Sequence, residues 1–122
     1  MDSTDMTSPE FRRARRRRAI ERIDVIDTMT GAVIGQLGNL SESGLLLTTS
    51  TPPREDALYQ WRFNLPQPGG GAATIECGAQ VLWLDRASAS GQFWAGARFI
   101  LLPKPAQEAV NAWIEAPGGE YE

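Results

Sequence analysis

Alternation of apolar and polar residues with a period of two recurs over most of the chain and limits the fold it can adopt. It is cleanest over residues 57–65, where the side chains that share one face are Tyr59, Trp61, Phe63 and Leu65. Such alternation is typical of a strand with one buried face. Six segments of this kind are predicted to be strands: 19–27, 32–37, 45–49, 57–65, 74–84 and 92–101.

Turn-forming residues separate these segments, and a helical pattern follows them. Residues 106–116 carry apolar side chains at helical spacing. We therefore predict a mainly β fold, a six-stranded antiparallel β-barrel with a C-terminal α-helix. In the first strand the buried face is predicted to be Ile23 and Val25, with a shift of the pattern near Ile26. Side chains fill the interior of so small a barrel, so a ligand has to bind on its outer surface or at its rim.

The length of 122 residues allows one domain. We expect a flexible arginine-rich N-terminal segment over 1–18, the barrel and its helix over 19–116, and a tail over 117–122. No apolar run is long enough to span a bilayer, and no apolar stretch follows the basic residues as a secretory signal requires. We therefore expect a cytoplasmic protein that does not insert into membranes.

The residue types present exclude several kinds of catalytic site. The sequence contains no histidine, which excludes Ser-His and Cys-His nucleophile pairs and histidine-based zinc sites. Cys77, the only cysteine, is predicted to be a half-buried strand residue and cannot form an internal disulfide. No pair of acidic residues lies in a context that indicates acid-base catalysis. We expect a binding protein and not an enzyme, with no catalytic residue, metal or cofactor.

Positive charge is concentrated in one short stretch of an otherwise acidic chain. The formal net charge is -3, yet residues 11–22 hold seven arginines and a single acidic residue, Glu21. Arginine presents a planar fork of donors that suits a phosphate or the O6/N7 edge of guanine. The stretch is therefore expected to bind an anion. A short helix that begins at Ser8 and Pro9 is one possible structure for it, and a segment that stays mobile until its charge is neutralised is the other.

Two short motifs stand at either end of the first predicted hairpin. The pattern RxxxR occurs in two registers, Arg12 with Arg16 and Arg13 with Arg17. The pattern NxSxxG occurs once, from Asn39 to Gly44. In this order and at this separation the two motifs resemble the signature of the PilZ domain family. The resemblance extends to the GARF segment over 96–99, similar to the end of the last barrel strand of that family, and to the closing helix.

The resemblance implies a receptor for the bacterial second messenger cyclic di-GMP. The residues it points to as ligand contacts are Arg12, Arg13, Arg16, Arg17, Asn39, Ser41 and Gly44. Arginines can pair with the phosphates or grip a guanine edge, and the Asn39 amide and the Ser41 hydroxyl can bond the other edge or orient the arginines. Gly44 is predicted either to take a positive φ or to let the ligand approach closely. Of the two registers we prefer Arg13/Arg17, because Arg17 lies closer to the first strand.

Other interpretations of the same residues remain open. The arginine stretch could be a nucleic-acid-binding tail, although the acidic remainder of the chain makes nucleic acid an unfavourable partner. The chain could also be a protein-interaction adaptor that does not respond to the nucleotide. As a receptor it would act through an unidentified downstream protein in motility, pili, biofilm or virulence control, as the family resemblance implies.

Four aromatic residues on strand faces are predicted to lie in the core: Trp61, Trp83, Phe93 and Phe99.

Overall fold

A computed structural model describes residues 15–122, and within them the chain forms seven strands and one helix. Arg12, Arg13 and the predicted helix start at Ser8 lie outside the described residues. The strands are β1 (Arg17–Arg18), β2 (Asp24–Asp27), β3 (Val33–Leu40), β4 (Gly44–Thr49), β5 (Leu58–Pro66), β6 (Ala72–Arg86) and β7 (Phe93–Leu101), and the helix is α1 (Lys104–Glu115).

Strands β2 to β7 close into the predicted six-stranded antiparallel barrel. Each pairs with two neighbours, in the cyclic order β2, β5, β6, β7, β4, β3 and back to β2. Closure leaves these strands without a free edge, which satisfies their backbone hydrogen-bonding groups inside the sheet. The short strand β1 is additional to the six and pairs with the end of β3.

Most of the apolar strand faces that the alternation predicted fill the barrel interior. On β5 the inward residues Trp61, Phe63 and Leu65 are almost fully buried. The predicted shift in the first strand is also present, as a register shift between Val25 and Ile26. Removal of this apolar surface from water is the main force that stabilises the fold.

The helix closes one end of the barrel through a single apolar face. Val110, Trp113 and Ile114 are its buried residues, and β5 and β6 are the strands it packs against. Lys104 and Pro105 occupy its first turn, where proline is tolerated because the first amide groups have no partner within the helix. Among residues 15–122 no helix is both long and apolar enough to cross a bilayer.

Strand β3 is longer than the sequence pattern indicated. The predicted loop began at Gly38, whereas β3 continues to Leu40. It continues because Asn39 and Leu40 pair with β4 on one side and with β1 on the other. Only Ser41 to Ser43 remain between β3 and β4, so Asn39 is held in a strand, not in a loop.

The thiol of Cys77 is expected to be unreactive in the folded protein. Its side chain is buried, and burial raises the pKa of Cys77 to about 12, against a smaller lowering by a backbone hydrogen bond at Trp61. The thiolate is the species that reacts with disulfide reagents, and both burial and the raised pKa suppress it. At pH 8 we predict that a thiol reagent labels the native protein roughly a hundredfold more slowly than the protein unfolded in guanidinium.

An exposed cysteine introduced by Ser90→Cys is the matched control for this measurement. Ser90 lies in the exposed turn between β6 and β7, so that thiol should react at the rate of a free thiol. Rapid labelling of native Cys77 would contradict the packing described above.

Candidate functional site

The short strand β1 sorts the arginines of the basic stretch onto two sides. Arg17 pairs with Leu40 and Arg18 pairs with Asn39 in an antiparallel arrangement. Successive side chains of an extended strand point to opposite sides. Arg16 and Arg18 therefore lie towards Asn39, whereas Arg15 and Arg17 lie towards the helix.

On the first side, Arg16 is bonded to the asparagine of the NxSxxG motif. Its Nη1 donates to Oδ1 of Asn39 at 2.8 Å, and Asn39 is only 1% exposed. Burial lowers the pKa of Arg16, and the nearby carboxylate of Glu122 opposes that shift. An arginine stays protonated in proteins, so this partly buried group remains a fixed cation with a fixed orientation.

On the other side, Arg17 is bound to the end of the helix. Its Nη1 donates to the carbonyl oxygens of Trp113 and, at 3.2 Å, of Ala116. Its guanidinium also lies 4.7 Å from the centre of the Trp113 ring. A cation at a helix C-terminus is stabilised by the unpaired carbonyl groups and the helix dipole. The structure thus separates Arg17 from Asn39 and brings Arg16 to it.

Ser41 shapes the turn between β3 and β4. It is fully buried, and its Oγ accepts hydrogen bonds from the backbone N–H groups of Ser43 and Gly44, each at 3.3 Å. Its own N–H donates to the carbonyl oxygen of Gly44 at 2.9 Å. The Ser41 hydroxyl is therefore used within the turn itself, where it accepts hydrogen bonds from backbone N–H groups that have no strand partner, as in other serine turns.

Gly44 is required by the close approach of a neighbouring strand. It opens β4 opposite Arg98 of β7, and a Cβ at this position would lie 2.2 Å from the carbonyl oxygen of Ala97. Its φ is not among the positive values of the chain, and the crowding atom belongs to the protein's own backbone. The predicted positive φ is therefore wrong, and the close approach that requires a glycine here is that of the Ala97 backbone.

Arg16 and Asn39 line an open groove on the outer surface of the barrel. This surface, which we call the Arg16 groove, has a volume of about 390 Å³ and is lined by Arg16, Asn39, Leu45, Leu46, Leu82, Trp83, Gly96, Ala97 and Glu122. A second groove of about 540 Å³ shares Arg16, Leu82 and Ala97 with it and reaches Arg98. The two grooves are neighbours, and the cationic side chain of Arg16 lines both.

Trp83 lies in this groove, and its predicted place in the core is wrong. A register shift between Val81 and Trp83 turns its side chain outwards, where it is 44% exposed. A β-bulge of this kind reverses the side that later residues face. The indole ring covers Gly96, since a Cβ there would lie 2.3 Å from ring atoms. The unbroken apolar run from Val81 to Leu84 is the sequence signal that could have indicated the bulge.

Glu122 also lines the groove, and sequence reasoning gave it no role. Its Oε2 accepts a hydrogen bond from Nδ2 of Asn39 at 3.0 Å and lies 3.5 Å from Nε of Arg18. Asn39 thus bonds Arg16 through its oxygen and Glu122 through its nitrogen. No local sequence pattern indicates this contact, because 83 residues separate Asn39 from Glu122.

A closed six-stranded antiparallel barrel with a helix at one end and an open groove on its outer surface defines a small β-barrel domain. The PilZ domain family model matches residues 11–116, and the chain belongs to that family. The match spans both RxxxR registers, the NxSxxG motif and the helix. A comparison with curated proteins found no match.

Two solved structures share the fold at low sequence identity. One is the Bacillus subtilis inhibitor of motility (MotI/DgrA), with a TM-score of 0.69 and 13% identity over 84% of this chain. This chain spans about half of that protein, 48% of its length. The other is the PilZ domain of YcgR from Escherichia coli, solved with c-di-GMP, with a TM-score of 0.62 and 15% identity over 84% of this chain and 87% of that one.

The close packing at Gly44 generates a prediction about stability. In Gly44→Ala the new methyl group would meet the Ala97 carbonyl, so β4 and β7 would have to move apart. We expect a loss of about 2 kcal/mol or more in the free energy of unfolding, measured by urea denaturation. Gly78→Ala is the matched control, because its nearest neighbours are side-chain atoms of Leu101 and Ile100 at 3.3 and 3.4 Å. An equal loss in the two variants would show that close approach is not the reason for Gly44.

Proposed function

We propose that the protein is a receptor that binds cyclic di-GMP in the Arg16 groove and passes the signal to a partner protein. The observation that carries this proposal is the hydrogen bond between Arg16 and Asn39 in an open surface groove. It joins the two sequence motifs of a chain that belongs to the PilZ domain family. The solved structure of the YcgR PilZ domain with c-di-GMP supports this choice of ligand.

The chemistry of the groove suits this dinucleotide. Cyclic di-GMP offers two phosphates and two guanine edges, and a guanidinium can bond either in a bidentate manner. Asn39 holds Arg16 through its amide oxygen and directs its amide N–H towards the same groove. An arginine oriented in advance loses less conformational freedom on binding than a free one. Asn39 is therefore proposed to position Arg16 and to bond a ligand acceptor itself.

Trp83 is proposed to provide a stacking surface for one guanine. Its indole is exposed and lines the same groove as Arg16 and Asn39. A base stacked on an aromatic side chain gains about 1–3 kcal/mol. The indole covers Gly96 and is 44% exposed, so part of its surface is available to a base.

Of the two RxxxR registers, we propose that Arg12/Arg16 contacts the ligand. The sequence preference was Arg13/Arg17, but Arg17 is already bonded to the helix end and stacked on Trp113. Ligand binding through Arg17 would have to break these contacts, whereas the hydrogen bond between Arg16 and Asn39 already lies in the groove and can remain. Ser41 and Gly44 are proposed to set the position of Asn39 and of the turn without contacting the ligand.

The proposed role is that of a receptor without catalytic activity. The signal would pass to a downstream protein in the cytoplasm, where the second messenger is made and read. The residues of the groove are proposed to bind and orient the dinucleotide, and the thiol of Cys77 is buried in the barrel wall with a raised pKa. The output of the receptor is therefore proposed to be a change of its surface that a partner protein recognises.

Calorimetric titration tests this proposal and its choice of register together. We expect micromolar or tighter binding of cyclic di-GMP by the wild-type protein, and none of GTP or short duplex DNA. Arg16→Ala should weaken binding by about tenfold to a hundredfold, the effect of one charge-assisted hydrogen bond. Arg17→Ala is the matched control, since it removes the same charge one residue along from a side chain that bonds the helix end and does not line the groove.

Two results would contradict the proposal in different ways. No heat with the dinucleotide, or equal binding of DNA, would overturn the receptor function. A loss in Arg17→Ala as large as that in Arg16→Ala, with both variants folded by circular dichroism, would instead favour the Arg13/Arg17 register.

A further inference from the structure

Residues 120–122 pair with the arginine strand on the side away from β3. The N–H of Arg18 donates to the carbonyl oxygen of Glu120 at 2.8 Å, and the N–H of Glu122 donates to that of Arg16 at 2.9 Å. Arg17 and Tyr121 form the antiparallel bridge between these bonds. Strand β1 is therefore covered on both edges, by β3 and by this segment, which we call the 120–122 strap.

Tyr121 anchors the strap to the end of the helix. Its hydroxyl donates to the carbonyl oxygen of Ile114, and the guanidinium of Arg15 lies 4.0 Å from the centre of its ring. Arg15 is in turn paired with Glu115 at 2.9 Å. The side chain of Tyr121 thus faces the helix, and by alternation the side chain of Glu122 faces the Arg16 groove.

The carboxylate of Glu122 lies beside Arg16 and Asn39, the two side chains that the proposed function assigns to the ligand. It accepts from Nδ2 of Asn39, lies close to Nε of Arg18 and opposes the lowering of the pKa of Arg16. A carboxylate presents two anionic oxygens in one plane, as a phosphate presents its free oxygens to the same donors. Two anions cannot share these donors without a large electrostatic cost.

We infer that Glu122 is a built-in competitor of the dinucleotide and that the strap must leave the Arg16 groove when ligand binds. This inference rests on the proposed function and deepens it. The ion pair that is lost, between Arg18 and Glu122, is a weak one, since their side chains are 58% and 40% exposed. The strap therefore sets the ligand concentration at which the receptor responds without blocking the site.

The inference predicts that removal of the Glu122 charge tightens binding. In calorimetry Glu122→Gln should bind cyclic di-GMP about three- to tenfold more tightly than the wild-type protein, and Glu122→Ala at least as tightly as that. Glu120→Gln is the matched control, because it removes one negative charge from the same strap. The side chain of Glu120 forms no hydrogen bond or ion pair with residues 15–122. The affinity of Glu120→Gln for cyclic di-GMP should therefore equal that of the wild-type protein.

Release of the strap has a second readout that does not depend on affinity. With saturating cyclic di-GMP, the amide of Glu122 should lose its protection from hydrogen exchange, because its bond to Arg16 is broken. The amide of Leu37, bonded to the carbonyl oxygen of Ile23 within the barrel, should keep its protection.

The possible failures are distinguishable. If neither the wild-type protein nor any variant binds the dinucleotide, both the proposed function and the inference are overturned. If the wild-type protein binds and Glu122→Gln binds equally or more weakly, the inference alone is overturned. An equal gain in Glu120→Gln would likewise overturn it, since general charge repulsion would then explain the effect.

Discussion

The candidate site depends on the alternation of side chains along one short strand. The pairing of Arg17 and Arg18 with the end of β3 fixes the phase of that alternation. It directs Arg16 to Asn39 in the groove, and it directs Arg17 to the end of the helix, where the last carbonyl groups accept its hydrogen bonds. A run of like charges that would otherwise repel one another is thereby divided between two sets of partners. One set holds the barrel to its helix, and the other is proposed to hold the ligand.

Two glycines allow neighbouring groups to approach closely beside the two grooves. Gly44 lets β4 lie against β7, and Gly96 leaves room for the Trp83 indole against the sheet. Ser41 completes the turn that brings Asn39 and Gly44 to their places. Interiors and sheet surfaces packed this densely shift little, so the groups in the groove are oriented before any ligand arrives.

Period-two patterning predicted the six barrel strands, helical spacing predicted the helix, and resemblance to the PilZ signature singled out the motif that contains Asn39. The patterning could not choose between the arginine registers, because the phase of β1 is set by its pairing with β3 and not by the arginine run itself. It misplaced Trp83, because a bulge in β6 interrupts the alternation that the prediction assumed. Glu122 could not be found, since its contact with Asn39 joins distant parts of the chain. Local patterns therefore predicted the scaffold, and tertiary pairing decided which side chains meet in the groove.

A crystal structure of the protein with cyclic di-GMP tests the central claim most directly. The account predicts the dinucleotide in the Arg16 groove, within hydrogen-bonding distance of the Arg16 guanidinium and the Asn39 amide, with one guanine stacked on the Trp83 indole. Arg17 should keep its bonds to the helix end. A dinucleotide bound by Arg17 instead of Arg16, or bound at another surface with the Arg16 groove unchanged, would contradict the account.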